Sequence, residues 1–184
     1  MESGDSDLRR FERLTPFRIR EVLIVSSPFD HYVLEESGHL SELIAQEYSE
    51  LNLTQAPRFI HSPNAVDAIA LLRERSIDLV ITMLRIGTMK VHEFAQQVKN
   101  IQPGLRVVLL AYNTRELATL REGAGLDHTF VWHGDSRILL AICKLMEDER
   151  NVHHDVEKGD VQVILLVEDS RRFYSSYLPI LYRM

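Results

Sequence analysis

One cysteine, Cys143, is all that 184 residues contain. No disulfide can close within the chain, so a reducing, cytoplasmic setting is expected. No apolar run approaches the roughly 20 residues needed to span a bilayer. The opening stretch MESGDSDLRRFERL also lacks the apolar centre of a signal peptide. Positive charge is in deficit: 21 Lys and Arg face 27 Asp and Glu, for a formal net charge of -6. That balance argues against a dedicated nucleic-acid binder, although it leaves room for a local basic patch. What remains is 45% apolar and 26% charged, the proportions of a soluble globular protein. The length allows one domain of ordinary size and a remainder too short for a second.

Short β-branched runs recur along the chain: Val22 to Val25, Phe59-Ile60, Leu79 to Ile81, Val107 to Leu110 and Phe130 to Trp132. They are apolar throughout rather than alternating, which suits strands buried on both faces of a parallel sheet. Helical spacing fills the intervals. Leu40, Leu43, Ile44, Glu47, Tyr48 and Leu51 mark the first such stretch, and Asn64 caps the next, which carries Val66, Ile69 and Leu72. Glu93 to Ile101 follows, stopped by Pro103-Gly104, then Arg115 to Arg121, closed by Gly123 and Gly125. Asp135-Ser136 caps a last helix bearing Ile138, Leu139, Ile142, Leu145 and Met146. Five strand–helix units over residues 20–150 predict an α/β, flavodoxin-like three-layer sandwich, with a parallel sheet in the order 2-1-3-4-5.

The flanks read differently. Residues 1–19 form an N-terminal arm whose basic and apolar residues, Arg9 to Arg20, either dock on a partner or lie along their own domain. Residues 151–160, NVHHDVEKGD, are polar and read as a linker. His153, His154 and Asp155 on it are expected to be solvated rather than metal-bound, since no further ligands cluster nearby. Residues 161–184 begin with a buried-type strand, Val161 to Val167, and continue as a helix that Pro179 should kink or interrupt. A lone strand and helix bury too little to fold alone. The chain is therefore expected to continue past Met184, and the tail to seek a sheet edge or a second copy.

Ligands in such folds gather at the carboxyl ends of the strands. There the third-strand phrase from Ile77 to Met89 (IDLVITMLRIGTM) and the fourth-strand phrase VVLLAYN resemble the response-regulator receiver family over residues 20–150. The resemblance implies a fixed set of groups: two acidic side chains after the first strand for a magnesium ion, and an Asp ending the third strand to accept a phosphoryl group. A hydroxyl after the fourth strand and a Lys after the fifth complete it. At those positions stand Ser26 and Ser27, Met83, Ala111, and Trp132 followed by His133. Hydroxyls cannot replace two carboxylates around magnesium, and a thioether cannot form an acyl phosphate. The expectation is a degenerate receiver without aspartyl phosphorylation, catalysis or cofactor, acting through protein partners or other domains of its chain. Met83, Trp132 and Cys143 are then core filling. A small-ligand pocket lined by Ser26, Ser27, Tyr112, Asn113, Trp132 and His133 is the competing possibility.

In the tail, Glu168 and Asp169 directly end the apolar run. That resembles the magnesium-holding pair of a second receiver, and implies Mg2+ there with an acceptor Asp supplied from beyond Met184. Taken together, RFERLTPFRIREVLIVSS, DLVITMLRIG, VVLLAYNTREL, FVWHGDSRILLAI and VILLVEDSRRFYSSYLP are similar to the N-terminal region of multidomain proteins with tandem receiver-like modules. Those modules precede a phosphoenolpyruvate synthase or pyruvate phosphate dikinase-like portion, no catalytic part of which lies in this chain.

Overall fold

In the computed structural model the residues described are 14–36, 42, 46, 56–118, 125–159 and 161–183. Five parallel strands form one sheet: β1 (Glu21–Val25), β2 (Arg58–Ser62), β3 (Leu79–Thr82), β4 (Arg106–Ala111) and β5 (His128–Val131). Their order is β2-β1-β3-β4-β5, as the alternating pattern predicts. Each central strand is apolar on both faces because each face meets a helix layer. Val22 and Ile24 join one core cluster with Ile81, Val108, Phe130 and Leu139, whereas Leu23 and Val25 join the other with Ile69, Val80, Phe94 and Leu109. Phe94 and Phe130 are fully enclosed, and truncating such a side chain costs about 3–5 kcal/mol.

Among the described residues six helices accompany the sheet: α1 (Pro28–Glu36), α2 (Ala65–Glu74), α3 (Val91–Ile101), α4 (Thr114–Leu117), α5 (Arg137–Gly159) and α6 (Arg171–Leu181). Asn64 caps α2 as expected, its side chain accepting the Asp67 N–H at 2.9 Å. The α5 start also agrees, with Asp135 accepting the Arg137 N–H.

The departures are informative. The first helical stretch begins at Pro28, and most of the 40–51 segment lies outside the described residues. Ser27 caps α1, Pro28 takes its first position, where a missing N–H is harmless, and Asp30 gives its N–H to the Ser27 hydroxyl at 3.1 Å. The helix after β4 is described only over Thr114–Leu117, and residues 119–124 of the expected Arg115–Arg121 helix lie outside the described residues.

Residues 151–159 are no linker: α5 runs unbroken to Gly159, about 34 Å for its 23 residues. Their polarity has a partner. Glu147, Asn151 and Asp155, four apart and so on one helix face, accept the backbone N–H groups of Ile19, Phe17 and Thr15 at 2.8, 3.0 and 2.9 Å. Alternate residues of an extended segment rise about 6.7 Å and four helical residues about 6 Å, so the two spacings match. The arm, over its described part, therefore lies along its own domain, with Arg150 stacked 3.9 Å over the Phe17 ring.

Residues 161–167 form no strand, and their side chains are largely exposed. Helix α6 returns to the first domain instead. Ser175 takes the Val131 N–H at the open edge of β5 (2.9 Å), Tyr174 stacks on Phe130, and Tyr182 bonds Asp148 at 2.7 Å. Pro179 sits buried in the last turn without interrupting the helix.

Candidate functional site at the carboxyl ends of the strands

Met83 directly follows β3 and gives its N–H to Val25 at 2.9 Å. Its thioether is 2% exposed and belongs to the core packed by α5. Ala111 ends β4 and is buried. Trp132, one residue past β5, is 6% exposed and packs against Tyr112, with ring centroids 5.5 Å apart at 56°. Met83, Ala111 and Trp132 thus close the strand ends with apolar bulk.

The two serines are occupied with local structure. Ser26 is buried, and its hydroxyl lies 3.2 Å from His61 Nε2, which also bonds the Ser26 carbonyl at 3.1 Å. His61 stacks parallel on His31 with centroids 3.7 Å apart. Burial holds the His61 imidazole below its ordinary pKa, and the neighbouring His31 ring adds to this, against an opposing contribution from the Ser26 hydrogen bond. Ser27 donates its hydroxyl to Asp30 Oδ2 at 2.8 Å.

Asp30 escaped the sequence analysis, because it lies on the first turn of α1 instead of directly after β1. It is 1% exposed, yet its carboxylate is satisfied from three loops. Beside Ser27, the Tyr112 hydroxyl donates to Oδ1 at 2.9 Å, and the Arg85 guanidinium approaches the same oxygen at 3.4 Å. Burial raises the Tyr112 phenol well above its ordinary pKa, and the hydrogen bond to Asp30 and that group's charge push the same way. The segments after β1, β3 and β4 are thereby tied together by one buried anion. The available signal was Ser27-Pro28 with an acidic residue two positions on, an N-terminal helix signature.

The residues imagined as pocket walls point to other tasks. Asn113 caps α4 through the Glu116 N–H at 3.1 Å, and the exposed His133 meets the Arg172 carbonyl at 3.3 Å. Nor do the strand-end residues fit a magnesium ion. Two hydroxyls replace two carboxylates after β1, and the Asp30 carboxylate has both oxygens engaged. Among the described residues no group of three His, Cys, Asp or Glu side chains is placed to hold a metal. In the tail, Glu168 accepts the Ser170 N–H at 2.8 Å, a contact at the start of α6.

No family model and no curated protein matches the chain. Solved structures do. A signal receiver domain of an HD domain-containing protein from Pseudomonas fluorescens Pf-5 aligns at TM-score 0.55 and 17% identity, over 76% of this chain and 94% of that one. A CheY-like receiver domain protein from Methanospirillum hungatei JF-1 aligns at 0.56 and 18%, over 73% and 98%. The fold is that of the CheY-like receivers. A Thermotoga maritima response regulator solved with Mg2+ and BeF shares it at TM-score 0.50 and 17% identity, over 70% and 99%. At these identities the likeness concerns the fold alone. No helix among the described residues is long and apolar enough to cross a membrane.

Proposed function

We propose that the receiver-fold module of this chain is not phosphorylated on aspartate and serves signal transduction through contacts with proteins or other domains. Met83 carries this reading. It stands, buried, where the receiver resemblance implies the acceptor Asp, and a thioether has no oxygen to take a phosphoryl group. The magnesium pair and the hydroxyl are missing from the same constellation, at Ser26, Ser27 and Ala111. The Asp30 contacts add a physical consequence. A receiver gathers its strand-end loops around a bound cation and phosphoryl group, whereas here Asp30, Tyr112 and Arg85 link three of those loops without either. The module is held in one arrangement with no external charge to switch it. The sequence phrases shared with receiver-fused phosphoenolpyruvate synthase-like proteins support a place for it ahead of such a catalytic portion. Incubation with a small phosphodonor and magnesium tests the reading: the mass of the protein stays unchanged, and an acid-stable, hydroxylamine-labile adduct contradicts it.

A further inference from the structure

His31 on α1 and His61 on β2 lie face to face, their ring centroids 3.7 Å apart and their planes within 4°. Nε2 of His61 lies 3.1 Å from the Ser26 carbonyl, which only accepts, so that nitrogen carries the hydrogen. The Ser26 hydroxyl sits 3.2 Å from the same nitrogen. Nδ1 of His31 is buried without a hydrogen-bond partner among the described residues, so a hydrogen placed on it meets no acceptor. Parallel rings at this separation cannot share a metal ion, because each ligating lone pair lies in its own ring plane. The stack suits two neutral imidazoles. Burial and the His31 ring oppose a charged His61, while the Ser26 hydrogen bond and the Glu35 carboxylate, on α1 with His31, favour it.

Ser26 and Ser27 join β1 to α1 and answer to different partners. His61 grips Ser26, whereas Asp30 accepts the Ser27 hydroxyl at 2.8 Å, the Tyr112 hydroxyl at 2.9 Å and the Arg85 guanidinium at 3.4 Å. The histidine stack and the carboxylate that ties the strand-end loops therefore hold adjacent residues. We propose that the His31–His61 stack is a proton-operated latch on this tie. With both rings neutral, the stack holds α1 against β2 and keeps the β1–α1 loop in place. With both rings charged, like charges 3.7 Å apart repel. Helix α1 then parts from the end of β2, and the Asp30 contacts to the other two loops loosen with it. No phosphoryl group or cation alters charge at these strand ends, but imidazole is the side chain whose own charge changes near neutral pH. The latch rests on the function proposed above only for what the loops regulate. Its test uses no phosphodonor, so the two readings fail separately.

Amide hydrogen exchange on the full chain supplies that test, read as protection factors so that the intrinsic pH dependence divides out. Between about pH 7.5 and about pH 5, protection around Ser26, Arg85 and Tyr112 falls together by about tenfold. It returns on neutralisation, and the central strands keep theirs throughout. His61→Gln retains an N–H for the Ser26 carbonyl and cannot be charged. His31→Phe keeps a flat ring in the stack, one that attracts a charged neighbour where an imidazolium repels it. Both variants lose the response. His31→Phe leaves the His61–Ser26 contacts alone, so it decides the matter even where His61→Gln loosens the loop at both pH values. Level protection in the wild type, a fall confined to Ser26, a fall spread through the whole sheet, or a response that persists in His31→Phe overturns the proposal.

Discussion

The Asn151 side-chain amide closes a reciprocal pair of hydrogen bonds with the backbone of Phe17, accepting its N–H at 3.0 Å and donating to its carbonyl at 2.7 Å. With Glu147 and Asp155 one helical turn to either side, this fixes the arm on α5 and sets the domain's edges at both ends. Asn151→Ala leaves two part-buried backbone groups without their partner, so a loss of about 1–3 kcal/mol is expected, measured as a shift in the urea midpoint. A chain begun at Arg20 loses the whole ladder and one cut after Arg150 keeps only the Glu147–Ile19 rung, so both unfold at lower urea than one spanning 14–159.

Asp30 should act on three loops at once. In Asp30→Asn the negative charge is lost and one carboxylate oxygen becomes an NH2, so either Ser27 or the Tyr112–Arg85 pair, donors here, meets a donor instead of an acceptor. Amide hydrogen exchange is then expected to quicken around Ser27, around Arg85 and around Tyr112 together, with the Trp132 emission shifted through its contact with the Tyr112 ring. Quickening confined to the start of α1 contradicts the tie between loops.

Alkaline pH should weaken the fold through Tyr112 and Tyr182. Burial raises both phenols, and hydrogen bonds to Asp30 and Asp148 reinforce the rise. A folded pKa above the unfolded value of about 10 stabilises fully below that pH and is lost as pH climbs beyond it. Stability measured against pH falls above about 10, and the fall is shallower in the double variant Tyr112→Phe, Tyr182→Phe.

Mild acid acts through His61. Its folded pKa lies below the usual value, so the neutral ring stabilises above about pH 6.5 and that contribution is lost as pH drops through the lower folded value. Titration of the imidazole proton resonances checks the direction. His31→Ala removes a neighbour that holds the pKa down, and should move the His61 midpoint upward.

The buried parallel strands were legible because each is apolar on both faces, and strict alternation with helices leaves one common sheet order. Met83, Ala111 and the two serines were legible because a strand end is fixed by its strand. Helix α1 was not, since its sides bury only Asp30 and Leu34 and its helical signal lies in the cap, not in apolar spacing. The α5 extension was hidden for a related reason. Glu147, Asn151 and Asp155 are core positions of polar type, and their partners lie more than a hundred residues away in sequence, where periodicity carries no information. Val161 to Val167 has the composition of a buried strand, and among the described residues no strand pairs with it.

The loss of phosphoryl chemistry is tested most directly by following Trp132, the sole tryptophan, while beryllofluoride and magnesium are added to the full chain. Trp132 lies at the strand ends beside Tyr112, where a bound phosphoryl mimic would alter its surroundings. With Met83 in the acceptor position and no carboxylate pair for the cation, its fluorescence stays unchanged at saturating reagent. A saturable, magnesium-dependent change that disappears in Ser26→Ala, Ser27→Ala would contradict it and restore the domain to the working receivers.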